Sequence, residues 1–233
     1  MSEKKILPHG PLTKLEDGLW RVEGSLSGMP LHRVMTVAKL ASGDLVVHNA
    51  MMLADPAMKE LDALGTVAYV IVPNAFHRLD APVYKDRYPK AKFVCPKGAR
   101  AKVEKVVPVD LVYEEFPKDD HVALRTLKGV KDAEGVMIVT TEGGTTLTFN
   151  DALFNMPHAP GFQGFIVKNV MGSSGGFKVT RLFRTMMLKD KAAFRADLEE
   201  LAKTPKLKRI IVSHHETLEG DVAGELMRVA QTV

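Results

Sequence analysis

The chain is poor in cysteine, in aromatic residues and in long apolar runs, and each shortage removes a class of protein. Cys95 is the single cysteine among 233 residues, so an intrachain disulfide framework and a Cys-rich zinc ribbon are excluded. Any metal must then be held by His and carboxylate groups. Cys95 sits in the apolar run A-K-F-V-C-P and reads as a buried, inert thiol. Aromatics make up 6% of the chain, and the lone Trp20 reads as a core anchor. No apolar run approaches the ~18 residues that cross a bilayer, and the start M-S-E-K-K leads into no signal-peptide apolar region. A soluble, cytoplasmic protein without a membrane partner is expected. Three catalytic motifs are missing as well. The Gly-rich G-S-S-G-G at 172–176 lacks the Lys-Ser/Thr of a P-loop, Ser213 is in no G-x-S-x-G elbow, and His215-Glu216 is followed by Glu219 where a zincin helix needs His.

What is present is an ordinary globular composition, 45% apolar and 26% charged, enough for a conventional core in one domain spanning 1–233. The net charge of +4 is unevenly spread: residues 85–105 carry eight Lys/Arg against two Asp/Glu. That surface is able to recruit an anion, but only Tyr88 and Phe93 interleave with the charges, and no nucleic-acid partner is expected.

Along the chain, L-E-D-G-L-W-R-V-E-G at 15–24 reads as strand, Asp-Gly turn and strand. A second hairpin joins 33–40 to 45–49. Asp55 reads as an N-cap before Pro56, and a helix bearing Met58, Leu61 and Leu64 closes at Gly65. The apolar strand A-Y-V-I-V follows, breaking at Pro73 into N-A-F-H-R-L-D. A short helix at 82–88, a strand at 92–95 and a basic helix at 97–105 complete a mixed sheet covered by helices. Alternation returns at 121–127, then a third hairpin joins 136–140 to 145–149. Offset by 102 residues it resembles the second hairpin, with His48-Asn49 falling on Asn150-Asp151, as two related halves of about 15–115 and 120–233 would produce. Residues 157–176 read as a connector or a mobile cover of the site. Asp190 caps a helix with Phe194, Leu198 and Leu201 inward; the strand R-I-I-V-S ends at His214-His215, and a helix at 221–231 closes the chain.

Three strands thus end in metal-capable residues: His77 with Asp80, then Asp151, then His214 with His215. Ligands in α/β folds gather at strand ends. In this order the pieces resemble the metallo-β-lactamase-like superfamily, which includes glyoxalase II-type thioesterases and lactonases. T-F-N-D-A-L-F resembles its bridging-Asp segment with Asp151 as ligand, and I-I-V-S-H-H its last-strand segment with His214 as ligand and Ser213 in place of Gly. The signature H-x-H-x-D-H is eroded to N-A-F-H-R-L-D. Either Asn74 holds the first His position and no motif ligand survives, or His77 is the second His and Asp80 stands at the last. No His appears near 124–130 for the next landmark, which argues against a binuclear zinc site. A degenerate branch of this superfamily has a similar R-V-M-T-V start and N-x-x-H segment.

The resemblance implies an α/β (α+β) fold, an αβ/βα four-layer sandwich of two mixed sheets flanked by helices. It also implies at most one divalent metal, zinc, iron or manganese, held by His77, Asp151 and His214. Asp80 would be a further ligand or the general base, and Asn74, His48 and Arg78 would line the binding site. The expected activity is hydrolysis of an ester, lactone or thioester. The other reading is a non-catalytic pseudoenzyme that binds an anionic small molecule or a protein partner through Arg78, Arg33 or the basic surface.

Overall fold

A computed structural model describes residues 6–158, 161–166, 168–169, 172 and 174–233. The first sheet runs in chain order through β1 (Thr13–Glu16), β2 (Leu19–Leu26), β3 (Met29–Lys39), β4 (Leu45–His48), β5 (Val67–Ile71), β6 (Lys92–Cys95) and β7 (Leu111–Val112). Its first four strands are antiparallel, because Asp17-Gly18 and the turn at 41–44 allow direct reversal. The strands from β4 to β7 are parallel, and each return crosses the sheet through a covering segment. Those segments contain α1 (Asp55–Leu64), α2 (Ala81–Arg87) and α3 (Arg100–Val103).

The second half begins with β8 (Val122–Thr126), β9 (Gly135–Thr141) and β10 (Gly144–Phe149). A small ribbon of β11 (Phe154–Met156) and β12 (Gly176–Lys178) flanks α4 (Gly161–Ile166). Then come α5 (Arg181–Met186), α6 (Lys191–Leu201), β13 (Leu207–Val212) and α7 (Val222–Ala230). Its main sheet has the order β13-β10-β9-β8, with β10 and β13 parallel and the other pairs antiparallel.

Strand alternation divides the core into layers. From β4, Leu45 and Val47 pack with Met58 and Leu61 of α1, while Val46 faces the second sheet. From β10, Leu147 and Phe149 pack with Phe194 and Leu198 of α6 and Leu226 of α7. Between the sheets, Val34, Val46, Ile71 and Val94 meet Val122, Met137, Val139 and Ile211. The result is the expected sandwich, helix on sheet on sheet on helix. Among the described residues, no helix is long and apolar enough to cross a membrane.

The two hairpins related by the offset of 102 occupy equivalent places. In each half an antiparallel pair, β3-β4 or β9-β10, is followed through helix by a strand parallel to its second member, β5 or β13. The carboxyl ends of β4, β5, β10 and β13 therefore open on one region.

Some local expectations change. Ala54 is the N-cap of α1, and Asp55 lies within its first turn, where its charge favours the helix dipole. The Ala54 N–H is taken by Nε2 of His9 at 2.8 Å. Gly65 ends α1 where a Cβ would come within 2.9 Å of the Gly43 carbonyl oxygen, so the helix end can approach the β3–β4 turn only without a side chain. The basic helix over 97–105 is shorter than its charge pattern implies: a 3-10 turn at Lys97–Ala99 leads into the four residues of α3. Cys95 is buried, and burial pushes its thiol up to about 12, so it carries no thiolate reactivity at neutral pH. The reading of 157–176 as a connector or cover falls partly outside the described residues.

Candidate functional site

After β5, Pro73 ends the strand and Asn74 folds the chain back. The Asn74 Oδ1 accepts from the backbone N–H groups of Phe76 (2.8 Å) and His77 (3.0 Å), a local Asx turn that turns His77 over the strand ends. The Asn74 Nδ2 is within 2.6 Å of both Asp151 Oδ2 and Glu134 Oε1, and so has one hydrogen for each carboxyl group. That leaves Asp151 Oδ1, which lies 3.0 Å from His77 Nε2 and 3.1 Å from His214 Nε2.

The far side of each imidazole is also engaged. His77 Nδ1 faces Asn49 Oδ1 at 2.9 Å, and the Asn49 Nδ2 donates to the Val34 carbonyl at 2.8 Å, which fixes the amide orientation. His214 Nδ1 lies 2.9 Å from the His32 carbonyl, and its ring stacks on Phe154 at 4.6 Å. An oxygen faces each Nδ1, so in the neutral Nδ1–H tautomer each ring donates there and turns its Nε2 lone pair to the centre. Those two atoms are 3.3 Å apart and share one carboxylate oxygen. Such an arrangement of three lone pairs is stabilised by a cation at its centre. A tetrahedral ion with ligand bonds of about 2.0–2.2 Å separates its donors by roughly 3.3–3.6 Å, close to the observed spacing. His77, Asp151 and His214 form a mixed N/O set of the kind used for catalytic zinc and non-haem iron. The residues fit a single divalent metal.

With no metal between them the rings can instead donate from Nε2: burial works against ionisation of Asp151, but the charge of a protonated His77 and the hydrogen bonds from His214 and His77 outweigh it and hold the carboxyl well below its usual range. Glu134 is the opposite case. Full burial and the Asp151 charge push it well above the carboxylate range, and its Oε2 has no hydrogen-bond partner among the described residues.

The other expected site residues lie elsewhere. Asp80 does not join the cluster. Its Oδ2 sits 2.5 Å from Arg33 Nη2 and accepts from the Met52 N–H at 3.0 Å, so the carboxylate answers a nearly buried guanidinium. Arg78 reaches the Lys102 carbonyl at 3.2 Å and braces α3. His48 is fully buried between the sheets, with neither ring nitrogen hydrogen-bonded among the described residues; burial and the His77 charge lower its pKa to about 3. His215 stacks on His32 at 5.0 Å, and burial lowers its pKa to about 4.

Sequence reasoning missed Glu134, the clamp role of Asn49 and the wall made by α5. Asn49 had a signal, since it is the residue that falls on Asp151 in the repeat. Glu134, in K-D-A-E-G, reads as an exposed turn. A cavity of ≈ 340 Å³ opens over the trio, walled by Leu31, Phe76, Leu79, Phe154, Leu182 and Met186 among others.

The chain matches no protein-family model and no curated protein. Solved structures similar to it include metallo-β-lactamases. The FIM-1 enzyme of Pseudomonas aeruginosa in its mono-zinc form is 11% identical with a TM-score of 0.60, over 99% of this chain and 98% of that one. The enzyme of Pontibacter korlensis is 11% identical at a TM-score of 0.61, covering 95% and 99%. That of Erythrobacter litoralis, with mercaptoethanol in its active site, is 10% identical at 0.61, covering 95% and 96%. At this identity the likeness establishes the fold: the chain has the metallo-β-lactamase fold across nearly its whole length.

Proposed function

We propose that this metallo-β-lactamase-fold chain binds one divalent metal through His77, Asp151 and His214 and hydrolyses an ester, lactone or thioester in the cavity above them. One observation carries the reading: two imidazoles, each anchored through Nδ1, turn their Nε2 atoms toward one carboxylate oxygen. Zinc, iron or manganese suits the donors, and the mono-zinc form of the FIM-1 enzyme is a precedent for one metal on this fold. When bound, such a metal supplies Lewis acidity toward a carbonyl and acidifies water.

The remaining steps belong to the chain itself. Asn49 and the His32 carbonyl hold the ligand rings in one tautomer and orientation. Asn74 occupies the second oxygen of Asp151 and leaves the first for the centre. The apolar walls exclude bulk water and strengthen electrostatic contacts at the floor. Hydrolysis adds water across the acyl C–O or C–S bond, giving an acid and an alcohol or thiol with no change of oxidation state.

Elemental analysis of protein purified without chelator tests the metal. Between half and one equivalent of zinc, iron or manganese is expected, and turnover of an ester and lactone panel should follow metal content. Less than a tenth of an equivalent, with none taken up on addition, overturns the proposal. The second reading, a binding protein without turnover, is favoured by one observation: among the described residues Asp151 is the only carboxylate lining the cavity. It requires metal or ligand binding with no hydrolysis across the panel.

A further inference from the structure

The cavity over the trio has an unusual mixture of walls, and the polar groups in it are already occupied. Asn49 is committed to His77 and the Val34 carbonyl. The Thr180 hydroxyl caps α5 by accepting from the Phe183 N–H at 3.1 Å. Arg33 faces Asp80, whose carboxylate is also held by the Met52 amide, and the unpartnered Arg33 Nε is covered from solvent. Arg33, the one Lys or Arg among the described lining residues, is therefore neutralised within the protein. Apart from His77, Asp151 and His214, the rest of the described lining is apolar.

The mouth is apolar too. Phe76 and Leu79, on the loop that carries His77, are 60% and 62% exposed; Leu182 and Met186, one turn apart on α5, are each 47% exposed. Large apolar side chains held in water around a concave site mark a ligand surface. These four border the cavity whose floor is His77, Asp151 and His214.

We infer that the acyl group brought to this centre is an uncharged aliphatic chain, seated against Leu31, Phe154, Leu182 and Met186, with the leaving group toward solvent. This rests on the hydrolase reading above, but concerns only what fills the cavity. Each methylene placed in such a wall should raise kcat/KM roughly fourfold until the space is full. An acyl chain ending in carboxylate gains nothing from Arg33, which Asp80 already satisfies, and loses hydration.

The test uses metal-loaded full-length protein with 4-nitrophenyl esters from acetate to decanoate and the hemisuccinate ester. In parallel, the neutral fluorophore N-phenyl-1-naphthylamine is titrated onto the protein and displaced with decanol, and zinc content is measured separately. Leu182→Glu and Met186→Glu, both at exposed positions of α5, are the variants. The expected result is kcat/KM rising with chain length through several carbons, hemisuccinate poorer than butyrate, saturable fluorophore binding, and loss of both in the Glu variants at unchanged zinc content. A flat or falling chain-length series, or a preference for hemisuccinate, overturns the inference and leaves the metal reading intact. If no ester turns over, decanol-displaceable binding that the Glu variants abolish upholds the aliphatic site while the hydrolase reading fails. No saturable binding overturns the aliphatic site.

Discussion

Asn49 and Asp151 grip opposite nitrogens of one imidazole: Asn49 Oδ1 is 2.9 Å from His77 Nδ1, and Asp151 Oδ1 is 3.0 Å from His77 Nε2. The two residues stand at corresponding ends of β4 and β10, one in each half of the sandwich. The half that lacks the acid supplies an amide that orients the ligand for the half that has it. Asn49 adopts a left-handed backbone (φ 58) that Asn tolerates better than most residues. Asn49→Ala should lower zinc affinity about 10–100-fold, as loss of an orienting partner does. Competition against a chelator of known affinity measures it; an unchanged constant removes Asn49 from the site.

Asn74 makes a second grip with a different geometry. Its Oδ1 builds the turn that carries His77, and its Nδ2 bridges Asp151 and Glu134. Asn74→Ala breaks both at once. We expect a loss of metal affinity at least as large as for Asn49→Ala, again about 10–100-fold or more, with faster proteolysis at the 74–80 loop. Zinc binding equal to wild type would show that Asp151 needs no support from this amide.

The succession of strands and helices along the chain and the three metal-capable strand ends were legible in the sequence because each depends on local pattern: apolar alternation, turn residues, and polar residues where strands stop; the sandwich came only from the resemblance to a known fold. The trio follows from Asp151 and His214 resembling known segments and His77 lying after a buried strand. Asp80 was misleading because its partner is Arg33, 47 positions away, and no local pattern reveals that pair. Glu134 was invisible for the same reason. Three residues before it lies Lys131, three after it Met137, and only the packing of Asn74 and Asn150 against it shows that it is buried. His48 was expected in the site since its strand matches the one preceding Asp151, but strand alternation turns it between the sheets and Asn49 takes the edge.

The Arg33–Asp80 pair gives a test that separates structure from chemistry. Both side chains are about 10% exposed, so removing one leaves a charge that solvent barely reaches. Breaking such a pair costs about 3–5 kcal/mol. Asp80→Ala should therefore lose roughly that much in urea unfolding while retaining wild-type metal stoichiometry. Normal stability with lost metal would instead return Asp80 to the centre.

Glu134 predicts an alkaline weakness in the metal-free protein. Its folded pKa is raised by burial first and by Asp151 second. Above the ordinary Glu value of about 4.3 the unfolded chain releases this proton while the folded chain keeps it. Stability is then fully present below that value and falls as pH rises toward the raised folded pKa, by up to about 1.4 kcal/mol per pH unit. Glu134→Gln keeps the acceptor that Asn74 uses and has no proton to lose. Its melting temperature should match wild type near pH 4 and exceed it increasingly from pH 5 to 8; parallel curves would mean that Glu134 ionises freely.

His48 predicts the acid side. Its ring is fully buried, neither nitrogen is bonded among the described residues, and burial with the His77 charge holds its pKa at about 3. Below the unfolded value of about 6.5 the unfolded chain takes up a proton that the folded chain refuses. The stability linked to His48 is whole above that pH and declines as pH falls from there toward about 3. The decline is limited to about 1.4 kcal/mol per pH unit. Thr36, the residue paired with His48 across the β3–β4 hairpin, is also buried, and its hydroxyl has no partner among the described residues, so no bond joins it to the ring in this structure. His48→Met fills a similar volume without a titrating group, and its acid unfolding midpoint should move to lower pH than wild type. Metal-free protein followed by circular dichroism from pH 7 to 3 measures the shift, and coincident midpoints would show that His48 finds a proton partner when the chain acidifies.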